Sequence, residues 1–408
     1  MKIAIMGHGV VGSGVVEVLQ KNSDSIARKA GEPVEIKYIL DLREFPQLSY
    51  SGLFVKDFDT IVNDPEVQVV VEVMGGLEPA FRYVKQCLSS GKSVVTSNKE
   101  LVAAKGAELL ALAAEHHKNF FFEASVGGGI PIVKPLHLCL GANEITEIAG
   151  ILNGTTNFIL TKMIRESMSF ADALALAQQL GYAERNPSAD VEGQDACRKI
   201  CILASLAFGS HIYPDTPYCQ GITDITPADV AYAEQWGGVI KLIGRAKRLP
   251  NGKVAIMVSP AFIARESQLS SVDDVYNGIL VRGDATGDVV FYGKGAGKLP
   301  TASAVVSDVI DAARATDTVR TLQWQDSDGS NVEPLEHCPV TAYLRLQACN
   351  SDRAKVQVLF GAVRWLAEAP GELALVTPEL TEGELRQKLA ALEENGIATL
   401  GCIRVLDY

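Results

Sequence analysis

The sequence predicts an α/β fold in three parts. A doubly wound parallel sheet fills residues 1–130 and is completed by a helix at about 300–322. An α+β domain fills 131–300, and a linker at 323–336 leads to a small α+β module at 337–408. Three observations predict this. Short apolar runs alternate with helical periodicity through the first 130 residues, the pattern of parallel strands joined by crossover helices. A length of 408 residues exceeds what one hydrophobic core organises. The polar run Asp326-Ser327-Asp328-Gly329-Ser330-Asn331 carries no apolar period, as a linker would not.

The first element, Lys2-Ile3-Ala4-Ile5-Met6, is an apolar strand that runs into Gly7-His8-Gly9-Val10-Val11-Gly12, after which Val15, Val16, Val18 and Leu19 continue at helical spacing. Strand, glycine turn and helix in this order start a Rossmann-type nucleotide-binding unit. Gly7 allows a tight turn, Gly9 lets backbone approach a pyrophosphate, and Gly12 permits close helix-to-strand packing; the helix N-terminus at Val10 and Val11 faces the anion. A second strand, residues 34–40, ends in Asp41, a suitable acceptor for the ribose 2′-hydroxyl of NAD. Arg43 lies two residues on and suits the 2′-phosphate of NADP, so both cofactors stay open.

Further strands at 67–73 and 93–95 flank a helix at 79–89. At the C-terminal ends of these strands lie Met74-Gly75-Gly76 and Thr96-Ser97-Asn98-Lys99, where ligands collect in doubly wound sheets. Met74, Gly75, Thr96, Ser97 and Lys99 are therefore candidate cofactor contacts. A lysine at a helix start opposes the helix dipole, which argues against a merely solvated Lys99. A fifth strand, 119–124, carries Glu123 and empties into Ser125-Val126-Gly127-Gly128-Gly129-Ile130-Pro131. Backbone carbonyls plus one carboxylate are hard oxygen ligands for a group 1 or 2 cation, while a flexible turn explains the same glycines.

In the middle of the chain a strand at 145–152 leads to Asn153-Gly154-Thr155-Thr156-Asn157, which caps a helix and offers donors to a ligand. Another helix, 169–180, ends at Gly181. The loop from Tyr182 then masses Glu184, Asp190 and Glu192 ahead of a nearly uncharged helix that carries Asp195 and Lys199 at i, i+4 on one face. A surface salt bridge and a site at the mouth of a buried helix both explain the pair. Later, Tyr292-Gly293-Lys294-Gly295-Ala296-Gly297 forms a second glycine loop before a helix through Val305 and Val309. Its Gly297 suits the far side of a dinucleotide cleft. The tail reads as strand 341–349, helix 356–368, strand 372–376, helix 382–394 and strand 401–406.

Composition narrows the function. A formal net charge of -12 argues against nucleic acid, which demands a basic face. No apolar run reaches the ~18 residues of a membrane span, and the start of the chain has no signal-like pattern, so the expectation is a cytoplasmic protein acting on a small molecule. The eight cysteines show no C-x-x-C spacing and read as buried thiols.

With these residues in place, the chain resembles homoserine dehydrogenase over 1 to about 320. The resemblance is carried by Gly-Ile-Leu-Asn-Gly-Thr-Thr-Asn at 150–157 and Gly-Tyr-Ala-Glu with Asp-Val-Glu-Gly-Gln-Asp-Ala-Cys-Arg-Lys within 181–199. Tyr-Gly-Lys-Gly-Ala-Gly at 292–297 and Pro-Thr-Ala-Ser at 300–303 complete it. The resemblance implies reduction of L-aspartate 4-semialdehyde to L-homoserine with NADPH or NADH, on the route from aspartate to threonine and methionine. It implies Lys199 as proton donor and Lys99 as a cofactor-contacting lysine that helps polarise the carbonyl. Glu184 and Asp195 become substrate carboxylates, joined by Gly154, Thr155 and Tyr182. It further implies a structural sodium ion on Glu123, Val126, Gly128 and Ile130, a homodimer or homotetramer, and a domain at 131–300 serving catalysis and dimerisation. The module at 337–408 is implied to be ACT-like. There Asn350-Ser351-Asp352-Arg353-Ala354-Lys355-Val356 departs from the acid-x-Pro-Gly turn of threonine-sensing relatives.

Two rival functions have sequence-level tests. A phosphorylating aldehyde dehydrogenase needs a nucleophilic cysteine, for which Cys139 or Cys197 could be proposed, but neither has an obvious activating histidine or a suitable loop. A dinucleotide sensor without turnover would have no use for Glu184, Asp195 and Lys199 together.

Overall fold

Ile3, Ala4, Ile5 and Met6 are fully buried, as a strand covered on both faces must be. They belong to β1 (Lys2–Met6), followed by β2 (Glu35–Leu40), β3 (Phe54–Val55), β4 (Val67–Glu72), β5 (Ser93–Thr96) and β6 (Phe120–Phe121). All pair in parallel in the order β3-β2-β1-β4-β5-β6, the strand order of a doubly wound nucleotide-binding sheet. The order reverses between β1 and β4, so the C-terminal ends of these two strands flank the switch point. Helices α1 (Val10–Lys21), α2 (Ser23–Ala30), α3 (Asp59–Val62), α4 (Ala80–Ser89) and α5 (Lys99–Glu115) connect them.

This computed structural model describes residues 1–315, 322, 324–366, 369–406 and 408. The first of two units comprises Met1–Ile145, Cys201–Pro214 and Gly293–Gly329; the second comprises Thr146–Ile200, Asp215–Tyr292 and Ser330–Tyr408. The expected fifth strand is shorter than its apolar run. After Phe121 the chain turns into a 3-10 segment, Glu123–Ser125, because the Glu123 N–H donates to the Asp308 carboxylate at 2.9 Å.

Next in the chain come β7 (Ile145–Ile151), α6 (Gly154–Glu166), α7 (Phe170–Gln179), α8 (Ser188–Val191) and α9 (Gln194–Phe208), which from Cys201 on belongs to the first unit. Then come β8 (Tyr218–Cys219), α10 (Pro227–Trp236), β9 (Gly238–Arg248), β10 (Val254–Ala264), β11 (Tyr276–Gly283) and β12 (Gly287–Lys294). Returning to the first unit, α11 (Lys298–Arg314) buries Ala302, Val305, Val306 and Val309 in one core with Ile3, Val15 and Val69. That is the completing helix expected near 300–322; residues 316–321 lie outside the described ones.

The tail holds β13 (Pro339–Val340), β14 (Ala342–Gln347), α12 (Arg353–Phe360), β15 (Arg364–Trp365), β16 (Glu372–Val376), β17 (Leu380–Thr381), α13 (Glu382–Glu394) and β18 (Ala398–Leu406). It has its own apolar core around Leu344, Leu375 and Leu385, but it is not a detached module. β18 pairs in parallel with β10, Ala261 opposite Arg404, so one sheet runs β12-β11-β7-β9-β10-β18-β14-β16-β15 through the second unit. The pairing covers strand edges that a separate module would leave bare. The helix expected at 356–368 stops at Phe360, where Gly361 takes a left-handed φ of 76° and the chain turns into β15; residues 367 and 368 are outside the described ones.

The expected linker is tied down rather than free, residue 323 lying outside the description. Trp324 is buried, donates from Nε1 to His211 Nδ1 at 2.8 Å, and lies so close to Gly106 that a Cβ there would stand 2.5 Å from the ring. Further on, Val254 N donates to Asn331 O and Glu333 N to Val254 O, each at 2.9 Å. Not every cysteine is buried as expected: Cys139, at the end of a π-helical turn, and Cys349, in the turn before α12, are exposed.

Candidate functional site

The glycine turn after β1 is shaped by contact. Gly7 has a φ of +99°, and a Cβ on it would sit 3.0 Å from Val73 O. A Cβ on Gly12 would stand 2.0 Å from Gly7 O, so helix and turn touch only because both residues are glycine. Gly9, the N-cap of α1, has nothing within 4 Å of its Cβ position, which leaves room for a ligand at the helix N-terminus. Val10 is exposed and Val11 half-buried there.

Asp41 and Arg43, alternatives in the sequence, are partners in the structure. Asp41 accepts hydrogen bonds from His8 N at 2.8 Å, from Arg43 N and Nε at 3.0 Å each, and from Arg43 Nη2 at 2.8 Å. The Arg43 guanidinium holds the Asp41 carboxyl well below the usual carboxylate range. His8 packs beneath among Phe45, Tyr50 and Phe54, and burial pushes its imidazole below the ordinary value.

At the ends of β4 and β5, Thr96 is fully buried, while Met74, Ser97 and Lys99 are half-buried and Gly75 is exposed in a left-handed conformation. Sequence reasoning missed what binds these loops together. Glu72, fully buried, accepts from Met74 N at 2.8 Å and Thr96 Oγ1 at 2.5 Å. Asn98 caps α5 at Leu101 N and donates to Gly76 O at 2.6 Å. A glutamate closing an otherwise apolar strand was the available signal.

The Glu123 loop is buried, not a flexible turn. Glu123 Oε1 accepts from Ile132 N at 2.7 Å and Val133 N at 2.9 Å, and Oε2 accepts from Lys134 N at 2.7 Å. Three of about four lone-pair positions on the carboxylate are thereby taken. Among the described residues no backbone N–H donates to the carbonyls of Val126, Gly128 or Ile130. Gly128 presses on the second glycine loop, where a Cβ would stand 2.3 Å from Gly295 O, and Gly129 N donates to Lys294 O at 3.0 Å. Gly297 follows as the N-cap of α11, φ 128°.

In the second unit Lys199 and Asp195 form a buried pair, not a surface salt bridge. Lys199 Nζ lies 2.7 Å from Asp195 Oδ2 and donates to Leu152 O at 2.8 Å; the two residues are 8 % and 3 % exposed. Gly154 opens α6 where a Cβ would lie 2.7 Å from Val275 O. Thr155 Oγ1 donates to Tyr182 O at 2.7 Å, and the Tyr182 ring meets Phe158 edge-on. Glu184 is exposed, its backbone carbonyl held by Gln178 Nε2 at 3.1 Å, and its carboxylate makes no hydrogen bond among the described residues. The structure thus joins Lys199 to Asp195 and Thr155 to Tyr182, and leaves Glu184 out of both contacts.

A doubly wound sheet with a phosphate turn at its switch point, in a chain that also buries a lysine against a carboxylate at a helix mouth, belongs to the nicotinamide-dinucleotide oxidoreductases. A family model described as "Homoserine dehydrogenase, NAD binding domain" matches residues 7–123, and one described as "Homoserine dehydrogenase" matches 131–310. The chain belongs to the homoserine dehydrogenase family. It is 40% identical to the homoserine dehydrogenase of Synechocystis sp., covering 97% of this chain and 95% of that one. It is 39% identical to that of Pseudomonas aeruginosa, with 96% and 95% covered. The crystal structure of a homoserine dehydrogenase from Thiobacillus denitrificans superposes with a TM-score of 0.92 at 36% identity, covering 100% of this chain and 98% of that chain. A hyperthermophilic archaeal homoserine dehydrogenase in complex with NADPH matches at a TM-score of 0.66 and 29% identity, covering 77% and 97%.

Proposed function

We propose that the chain reduces L-aspartate 4-semialdehyde reversibly to L-homoserine with NADH or NADPH, in the supply of threonine and methionine, and that Lys199 gives the proton. The buried Lys199–Asp195 pair carries this reading. When bound, the dihydronicotinamide supplies the hydride to the aldehyde carbon. Negative charge then grows on the aldehyde oxygen, and Lys199 quenches it by transferring a proton from Nζ; in the oxidation direction the neutral amine takes the hydroxyl proton back. Asp195 and Leu152 O fix the direction of the ammonium. The exposed Glu184 carboxylate and Asp195 receive the substrate's ammonium, and Gly154, Thr155 and Tyr182 line its place.

Gly7, Gly9, Val10, Val11 and Gly12 hold the pyrophosphate, and Asp41 and Arg43 meet the adenosine ribose. Met74, Gly75, Thr96, Ser97, Lys99 and Gly297 contact the remainder of the cofactor, with Lys99 also polarising the carbonyl. The open space at Gly9 supports the phosphate assignment. A sodium ion is held mainly by the carbonyls of Val126, Gly128 and Ile130, with Glu123 giving its last lone-pair position; the unbonded carbonyls of a buried loop support this. The tail is an ACT-like regulatory element, supported by its order β14-α12-β15-β16-β17-α13-β18. The resemblance supports a homodimer or homotetramer with dimer contacts in 131–300. Among the described residues no helix is long and apolar enough to cross a membrane, in keeping with a cytoplasmic enzyme.

One assay tests the reaction: NAD(P)H absorbance followed with homoserine or aspartate semialdehyde, with and without phosphate. Oxidation of homoserine independent of phosphate is expected. Absence of turnover with either cofactor would remove the proposal, and a strict phosphate requirement would favour acyl chemistry instead.

A further inference from the structure

Asn153 stands immediately before α6 and is 6 % exposed. Its Oδ1 caps the helix, accepting from Thr156 N at 2.8 Å and from Thr156 Oγ1 at 3.0 Å. Its Nδ2 points the other way and forks between two carboxylates, Asp190 Oδ1 at 2.7 Å and Asp195 Oδ2 at 2.9 Å. The orientation of the carboxamide follows from its neighbours, since only the oxygen can face an amide N–H and only the NH2 can face two carboxylates. Asp195 Oδ2 is also the atom that Lys199 Nζ reaches at 2.7 Å, and Lys199 is held on its other side by the carbonyl of Leu152, the residue before Asn153. Lys199 is therefore gripped directly by Leu152 and, through Asp195, by Asn153.

We propose that Asn153 is a positioning residue for the reaction: its forked NH2 holds Asp190 and Asp195 side by side and through Asp195 fixes the ammonium of Lys199. The inference rests on the reading of Lys199 as proton donor. Two carboxylates brought to one point repel each other, and the opposition falls when both accept from a common NH2. The same side chain anchors the N-terminus of α6, so the carboxylates are registered to the backbone of Gly154 and Thr155. A helix cap alone would need only the Oδ1 half of the residue. The Nδ2 half has no part in capping.

Two substitutions separate the halves. Asn153→Ser keeps an N-cap oxygen and removes the fork. Asn153→Asp keeps the cap and the shape and turns the donor into a third acceptor. Both are expected to fold and to melt below the wild type, the aspartate substitution by more because it sets a third carboxylate against two, to leave the KM for NAD(P)+ unchanged, and to lower kcat for homoserine oxidation about 10-fold or more. In a Lys199→Ala background, Asn153→Ser is expected to add no further loss, as for residues acting through one another. Wild-type kcat in Asn153→Ser, with Lys199→Ala inactive, overturns the inference and leaves the proton donor in place. An active Lys199→Ala overturns the reading beneath it. If Asn153→Ser does not fold, Asn153→Asp decides: wild-type turnover in it rejects the positioning role.

Discussion

Arg43 grips Asp41 through three donors, its backbone N and Nε on Oδ1 and its Nη2 on Oδ2, at 2.8 to 3.0 Å. The guanidinium that a 2′-phosphate would want is already neutralised, and the carboxylate stays charged where that phosphate would arrive. NADH is the expected better cofactor. Asp41→Ala frees Arg43 and is expected to lower KM for NADPH and raise it for NADH, a swing of about tenfold, or about 1.4 kcal/mol. An unchanged ratio of the two KM values would show that this pair does not read the ribose.

Lys199 is the next position to lose. Replacing it by Ala removes the proposed proton donor and leaves Asp195 buried beside a void, and kcat should fall by about 10²–10⁴. The KM for the nicotinamide cofactor should hold, since Lys199 lies outside the glycine turn. Turnover within a factor of about three of the wild type would defeat the assignment.

Glu72 is expected to matter through the loops it joins. Burial pushes its carboxyl above the ordinary range, while Thr96 Oγ1 and the amide of Met74 donate to it. Glu72→Leu leaves the Met74 amide and the Thr96 hydroxyl without their acceptor, which costs about 1–3 kcal/mol. The melting temperature should drop and KM for NAD(P)H rise several-fold, with Lys199-dependent kcat little changed. A variant as stable as the wild type with unaltered cofactor KM would place Glu72 outside the cofactor loops' support.

Much of this was legible in the sequence where a local rule decided the outcome. Gly7 and Gly12 were readable because a turn and a close approach leave glycine no substitute, and α11 because its apolar positions keep a helical period. Long-range pairing was not legible. Nothing near Arg404 in sequence says that β18 will lie beside β10, and the polarity of 323–336 hides the buried ring of Trp324 that ties it down. The i, i+4 spacing of Asp195 and Lys199 announced a pair, but its burial depended on Leu152 and Asn153, more than forty residues earlier. Asn153 was visible as a cap and invisible as a fork, because the carboxylates it joins arrive from two other elements, α8 and α9.

Acid should weaken the first unit at a defined place. Lys37, the amide of Glu66 and the Tyr38 hydroxyl hold the Asp64 carboxyl at about 2, against an ordinary 3.8. A folded pKa below the unfolded one means the contribution is complete above about pH 4 and disappears as pH falls through about 2. Asp64→Asn should be less stable than the wild type in urea at neutral pH, and the gap should close toward about pH 2. A gap that persists unchanged in acid would mean that the ion pair with Lys37 is not its source.

Gly128 ties the proposed cation loop to the second glycine loop. With φ at +55° and Gly295 O 2.3 Å from its Cβ position, Gly128→Ala meets both backbone strain and a carbonyl that has little room to retreat. Overpacking of this kind costs about 1–3 kcal/mol, and the displaced loop would no longer aim the carbonyls of Val126, Gly128 and Ile130 together. The wild type is expected to melt higher in sodium chloride than in tetramethylammonium chloride at equal ionic strength, because a bound ion adds its binding free energy to the folded state. Gly128→Ala should melt lower in both salts and lose the difference between them. Identical melting of the wild type in the two salts would reject the cation while leaving the packing of Gly128 against Gly295 to explain the variant.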